Sequence, residues 1–307
     1  MNNTLSSQAP SPSSRKTASR GGFTLLELLI VIGIIGILAS VSIAQFAGAT
    51  SSAKATTCMT NMRNISVAIN NVAMNNDDGI YPGAGSFKFL WFRDGSMRYP
   101  TRVGWVGWSR PEREETTEAC GSPIPFSSGN KDLVRMALTN GAIWRAIGGS
   151  VKSYRCPVHA NACYKRNGRY PGWSYAMNKD FGWDENNGGG PIESGYKEKR
   201  LGKIQNADRM LLLCEIQGVD NAVLGLHANV DGSGSEGDGV LQYEKENIGF
   251  NHQITGKRWV AHVAYADGHV GRLMYPRGGM SLDELTKALC LGHELQFDGN
   301  GYQDLSK

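Results

Sequence analysis

Residues 23–47 read FTLLELLIVIGIIGILASVSIAQFA, preceded by Gly21-Gly22. Across these 25 residues Glu27 is the sole charge. At ~1.5 Å per helical residue the run is long enough to cross a hydrocarbon layer of ~30 Å. A secretory signal has a shorter apolar region, ~7 to 15 residues, with its cut after that region. Arg15, Lys16 and Arg20 stand just before the run, so the positive-inside rule places the N-terminus in the cytoplasm and the remainder of the chain outside. A carboxylate within such a helix costs on the order of 2.5 to 3.5 kcal/mol by insertion scales, which gives Glu27 a need for a partner. A free amine at a newly made N-terminus would be one.

Outward from the run, residues 2–20 are mostly Ser, Asn, Thr, Ala and Pro, a composition unable to bury a core. On the C-terminal side no proline occurs until Pro82. Cys58, Met62, Ile65, Ile69 and Val72 recur at spacings of four and three, while Asn61, Asn64, Asn71 and Asn75 mark the other face, so the helix is expected to continue with one apolar stripe. Asn76-Asp77-Asp78-Gly79 should end it.

Gly22-Phe23-Thr24-Leu25-Leu26-Glu27 followed by LLIVIGIIGILAS resembles the prepilin cleavage and methylation motif of type IV pilins and type II secretion pseudopilins. The resemblance implies that a prepilin peptidase cuts after Gly22 and methylates the new amine of Phe23. It also implies that Glu27 pairs with the amine of a neighbouring subunit during assembly. Two features depart from the family: the 22-residue leader is long, and Ala44 stands where a proline is often found. Gly33 and Gly36 lie mid-helix, each costing ~1 kcal/mol relative to alanine, and serve either a locally weak segment or close helix packing.

The division that follows is 1–22 leader, 23–47 transmembrane and assembly helix, 48–78 amphipathic stalk helix and 79–307 extracytoplasmic domain. The fold class expected is α+β, a long N-terminal helix packed on an antiparallel sheet, pilin-like. The formal charge is +4, and removal of Arg15, Lys16 and Arg20 leaves +1 (4 minus 3), which argues against a nucleic-acid partner. The expected partners are the prepilin peptidase, other pilin or pseudopilin subunits and the inner membrane, followed by a pilus or pseudopilus. With 39 glycines, seven tryptophans and eleven tyrosines the domain should be loop-rich with an aromatic core.

Within it, FKFLWF (87–92) and VGWVGW (103–108) suggest short strands, 131–147 a short helix pair about Gly141, and Met210-Leu211-Leu212-Leu213-Cys214 a buried central strand. Trp259 to Tyr265 and Val270 to Tyr275 flank Asp267-Gly268, a hairpin signal. A second resemblance is to large exported pilin-like proteins of environmental bacteria, in which Cys-Pro and Tyr-x-x-Asn elements precede a histidine, nine residues and Asp-Gly. The matching residues are Cys156-Pro157, Tyr175 to Asn178, His252 and Asp267-Gly268, with fourteen residues between His252 and Asp267 and extra loop residues at Thr255 to Arg258. The role of that motif is undefined.

No hydrolase, nucleotide or zincin motif occurs: His293-Glu294 lacks a second histidine at Phe297, and the glycine-rich 232–237 is an acidic loop. The chain is therefore expected not to be an enzyme and to require no cofactor. His252, His262, Asp267 and His269 offer a zinc or iron site, or else Asp267 caps its turn and His252 bonds to the same loop. Asp298, Asn300 and Asp304 are a candidate calcium loop, and calcium near the C-terminus is implied by the resemblance to major pseudopilins; the alternative is a solvated tail. Asp231, Ser233, Ser235 and Asp238 are a weaker set. Six cysteines (58, 120, 156, 163, 214, 290) allow fifteen pairings, Cys156 and Cys163 being nearest. Two rival functions are a recognition module presenting Trp91, Trp105, Trp108 or Trp173 to carbohydrate or a secreted substrate, and a metalloenzyme at His252 and His269.

Overall fold

The computed structural model describes residues 23–76, 79–84, 90–91, 97–98, 104–106, 135, 137–167, 172–181, 199–217, 239–241, 243, 246–254 and 258–306. The side chains of 41–47, 90–91, 97–98 and 166–167 lie outside the description, as do Gly22, Trp108, Cys120, the loop 232–237 with Asp231 and Asp238, and 255–257.

Helix α1 covers Leu25–Asn75, and the chain divides into two compact units between Gly48 and Ala49. In the first unit Leu25, Leu26, Leu28, Leu29, Ile30, Val31, Ile32, Ile34, Ile35, Ile37 and Leu38 are all exposed, an apolar surface that water does not tolerate at this extent. Among the described residues no helix is long and apolar enough to cross a membrane, and the side chains of 41–47, which complete the apolar run, are outside them.

In the second unit α1 behaves as its periodicity dictates. Cys58, Met62, Ile65, Ile69 and Ala73 are buried, with Val72 packed against the same core. Each large aliphatic side chain contributes about 1.5–3 kcal/mol by leaving water. The helix stops at Asn75, three residues before the expected end, and Gly79 takes a left-handed φ of 65° with its N–H donated to Asn76 O.

Two short strands, β1 (Leu90–Trp91) and β2 (Met97–Arg98), pair with each other. Helix α2 covers Pro157–Asn167, then come β3 (Tyr175–Asn178), β4 (Leu211–Glu215), β5 (Val240–Leu241), β6 (His252–Ile254), β7 (Arg258–Tyr265) and β8 (Val270–Met274). These six strands form the main sheet, in the order β5-β3-β4-β7-β6 with β8 also on β7. It is mixed rather than purely antiparallel, because β5 joins β3 in parallel. The chain ends with β9 (Gly278–Gly279), α3 (Leu282–Leu291), β10 (Leu295–Phe297) and β11 (Gly301–Asp304). Ser281 and Glu284 cap α3 reciprocally at its start, and Gly292 closes it in the left-handed region. The architecture is α+β, with the 49–75 part of α1 and the mixed sheets in one globular unit.

The apolar run before Cys214 is a fully buried strand, as its composition requires, but β4 extends one residue further, to Glu215. The hairpin about Asp267-Gly268 is also present, with Ala264 opposite Val270 and Gly268 at φ 94°. Of the helix pair about Gly141 the first member is helical where described, at 135 and 137–139, with 131–134 and 136 outside the described residues; the second is not a helix, 142–149 being turns. The Ala142 N–H is donated to Gly104 O instead of into a helix, and a Cβ at Gly141 would stand 2.4 Å from Trp105 O. The C-terminus is a β10–β11 hairpin instead of a solvated tail.

Register on β7 carries the main consequence for the site. Val260 faces both His252 of β6 and Met274 of β8, and Val263 faces both Cys214 of β4 and Gly271 of β8. A strand has only two edges, so with β8 on one, β4 and β6 share the other, end to end. One step beyond Cys214, Glu215 comes opposite His262, at the junction where β4 stops and β6 begins. The chain is drawn tight there: Gly249 N–H is donated to Glu215 O at 2.8 Å, and a Cβ on Gly249 would lie 2.3 Å from Ile216 C. Gly249→Ala is expected to lower stability by about 1–3 kcal/mol through forced backbone movement, read as a fall in the denaturant midpoint at constant m-value.

Candidate functional site

Two sites emerge. At the N-terminus, Thr24 and Glu27 form a reciprocal cap on α1. The Thr24 N–H and Oγ–H both donate to Glu27 Oε2 at 2.9 Å, and the Glu27 N–H donates to Thr24 Oγ1 at 3.2 Å. Phe23 is 81% exposed beside it. A carboxylate is thus held in the first helical turn, where the helix dipole favours negative charge, one turn from the amine that cleavage after Gly22 would create.

The second site is buried at the β4–β6 junction. Opposed residues of neighbouring strands share a face, so Tyr175 (opposite Glu215), Glu215, His262 and, one diagonal step away, His252 line one side of the sheet. The 49–75 part of α1 brings Cys58 to that side, where its Sγ–H donates to Glu215 Oε1 in close contact. His252 Nε2 lies 2.8 Å and His262 Nδ1 3.1 Å from the same oxygen. Cys156, just before α2, places its Sγ 3.3 Å from His252 Nε2, and Tyr175 Oη reaches Cys58 Sγ at 3.5 Å. Cys58, Cys156, Glu215 and His262 are wholly buried and His252 nearly so. Cys58, Glu215, His252 and His262 each offer one ligand atom, all within 4.8 Å of one another.

The electrostatics follow from this crowding. Burial raises the Glu215 carboxyl, but the charge and hydrogen bonds of His252 and His262 outweigh it and hold the group well below the usual range. Burial lowers His252, and Glu215 together with Cys156 overrides that, lifting it to about 10. Of the two thiols, Cys58 is pushed up by burial, its bond with Cys156 and the Glu215 charge. Cys156 ends at about 7, because the bonds from Cys58 and His252 overcome its burial. Behind this cluster His159 Nδ1 meets Ser174 Oγ at 2.7 Å and its Nε2 meets Cys163 Sγ at 3.3 Å.

Of the motif residues, His252 enters the cluster whereas Asp267 and Gly268 do not. Asp267 Oδ1 accepts from the His269 N–H at 3.0 Å and lies 2.6 Å from His269 Nδ1, so it caps its own turn. His269 stacks on Tyr265 at that turn, apart from His252, so the pair proposed for a metalloenzyme does not converge. His252 bonds across strands and not to the Asp267 loop.

The calcium candidates are likewise spread along one hairpin. Asp298 Oδ1 accepts from Asn300 N and Gly301 N in the turn, whereas Asp304, opposite Leu295 at the far end, lies 2.7 Å from His293 Nδ1. Three residue steps, roughly 10 Å, separate the two ends, too far for one ion. Trp105 and Trp173 are core side chains; the Trp91 side chain and Trp108 lie outside the described residues. Cys156 and Cys163 are not bridged to each other: Cys156 meets His252 and Cys163 is turned to His159.

Sequence reading passed over Glu215, Cys58 and Cys156 as donors. Cys58 looks like one more apolar stripe residue, and Glu215 like the first residue after a strand. The available signal was a lone carboxylate directly following the most apolar run of the domain.

Residues 17–43 match the prokaryotic N-terminal methylation motif. That motif supports a type IV pilin-like or pseudopilin-like protein. The match contains the Gly22-Phe23 junction and Glu27, and the α+β globular unit accords with a pilin-like fold. No curated protein and no solved structure matches the chain.

The pilin-like globular unit should weaken in acid through His159. Burial is the larger influence and pulls His159 to about 4 from an ordinary 6.5, against the opposing Glu215 charge. Its contribution is therefore complete above pH ~6.5 and is lost as pH falls toward 4, by at most ~1.4 kcal/mol per pH unit. In a His159→Gln variant the denaturant midpoint is expected to fall less steeply over that window than in the wild type.

Proposed function

We propose that the chain is a non-enzymatic structural subunit of a type IV pilus or type II secretion pseudopilus. Prepilin peptidase cuts it after Gly22 and methylates Phe23, and it waits in the inner membrane as a single-pass protein with its N-terminus cytoplasmic and its domain outside. The observation that carries this reading is the methylation motif over residues 17–43. The exposed apolar side chains from Leu25 to Leu38 support it, because a bilayer, or the helices of other subunits, supplies the contacts they lack. Assembly would exchange the local Thr24–Glu27 cap for an ion pair between Glu27 and the methylated amine of a neighbour, a stronger interaction in a low-dielectric surrounding. The burial of Trp105 and Trp173 weighs against the rival recognition surface.

Intact mass and N-terminal analysis of membrane-extracted protein, from cells with and without a prepilin peptidase, tests processing. A chain beginning at N-methylated Phe23 only when the peptidase is present is expected; an uncut chain, or a cut beyond Ala39, would overturn the reading. Glu27→Ala should still be cleaved but should drop out of sheared filaments or cross-linked pseudopilus ladders. Normal incorporation of that variant would refute the pairing role.

A further inference from the structure

The buried junction beneath α1 is built more like a ligand set than like a hydrogen-bond network. Glu215 Oε1 serves Cys58, His252 and His262, while Glu215 Oε2, equally buried, has no hydrogen-bond partner among the described residues. His262 Nε2 is also buried and, among the described residues, without one. Crowding three donors on one oxygen while its twin goes unmet is a poor use of a carboxylate in low dielectric, since each unmet buried group costs about 1–3 kcal/mol. A cation bound among the donors removes the conflict, because it draws both carboxylate oxygens and replaces shared protons as the common positive centre.

The donor chemistry selects the cation. Thiol sulfur, two imidazoles and a carboxylate from four separate elements suit zinc and related borderline ions, and not calcium or magnesium, which take oxygen ligands. Around a tetrahedral zinc with bonds of ~2.0–2.3 Å, ligand atoms stand roughly 3.3–3.8 Å apart. The contacts here, 2.8, 3.1 and 3.3 Å, lie at or below the short end of that range, so an outward movement of about half an ångström makes room for an ion. No ligand position faces solvent, which is the closed form of a structural site.

We propose that this pocket binds one zinc-class divalent transition-metal ion through Cys58 Sγ, Glu215, His252 Nε2 and His262, with the Cys156 thiol closing the remaining side. The ion ties α1 to β4, β6 and β7, joining positions up to 204 residues apart (262 minus 58) in a domain rich in loops. Its role is to fix the stalk helix on the sheet and to make folding of the exported unit depend on metal.

The test uses the detergent-extracted full chain, isolated without reductant, its metal content measured and then depleted by chelation and titrated with Co²⁺ and Zn²⁺. One equivalent of Co²⁺ with a thiolate-to-cobalt absorption band, displaced by Zn²⁺, and a melting temperature raised by Zn²⁺ are expected. His262→Gln and Cys58→Ser should weaken Zn²⁺ binding by more than the ~10–100-fold that loss of an outer-shell partner costs. Cys163→Ser, bonded to His159 outside the pocket, and Glu27→Ala, in the other unit, should leave it unchanged. Absence of a thiolate-to-cobalt band in the wild-type chain overturns the proposal whatever the variants do. So does undiminished binding in His262→Gln, or a Cys58–Cys156 disulfide in the isolated protein. Because Glu27→Ala tests assembly and His262→Gln tests metal, either reading can fail without the other.

Discussion

A carboxylate with no access to water holds the globular unit together. Glu215 sits at the end of β4, and its Oε1 meets a thiol from α1 and imidazoles from β6 and β7. A buried charge is tolerable only with excellent pairing, and removing one partner of such a set typically costs about 3–5 kcal/mol. That asymmetry makes the junction a device of specificity. Any arrangement that slides β4, β6 or the helix out of place strands a charge in the core, so the alternative packings open to a loop-rich chain are penalised. The apolar contacts of Met62, Ile65 and Ile69 give α1 its affinity for the core, and Glu215 gives it its position.

The same helix obeys a different rule in its first unit. From Leu25 to Leu38 its apolar side chains are exposed, whereas from Cys58 to Ala73 one stripe is buried. Composition explains the contrast. The first stretch is apolar all round and needs an apolar surround on every side; the second alternates a stripe with asparagines and needs only one. Two different demands are thus written into one helix, and the chain's own domain meets the second of them.

What could be read from sequence was what rests on local rules. The stripe of Cys58, Met62, Ile65 and Ile69, the strand 211–214 and the turn at Asp267-Gly268 each follow from spacing or turn chemistry among near neighbours. The second helix expected after Gly141 does not form, because a distant backbone, at Gly104 and Trp105, takes the hydrogen bond and the space a helix would need. The buried cluster was legible only in His252 and His262, for the same reason in larger measure. Its members stand at 58, 156, 215, 252 and 262, and only the end-to-end sharing of one edge of β7 by β4 and β6 brings them together. Nothing periodic announces that. The shared hairpin of Asp298 and Asp304 was misleading in the converse way, since closeness in sequence there becomes separation along two strands.

The His252 and Asp267-Gly268 elements can now be understood as two parts of one mechanical arrangement, although they never touch. Asp267 and Gly268 fix the β7–β8 turn, the first by accepting the His269 N–H and the second by its left-handed φ. That turn sets which residue of β7 lies opposite which of β8, and places His262 across from Arg272. Side chains alternate along a strand, so a slip of one residue would swing His262 from the Glu215 side to the opposite face and leave the carboxylate short of a partner. Register on the other edge of β7 places His252 at Val260, a diagonal step from His262. The β4–β7 register, with Cys214 at Val263, then sets Glu215 opposite His262, and the His252–Val260 register brings the second histidine to the same face.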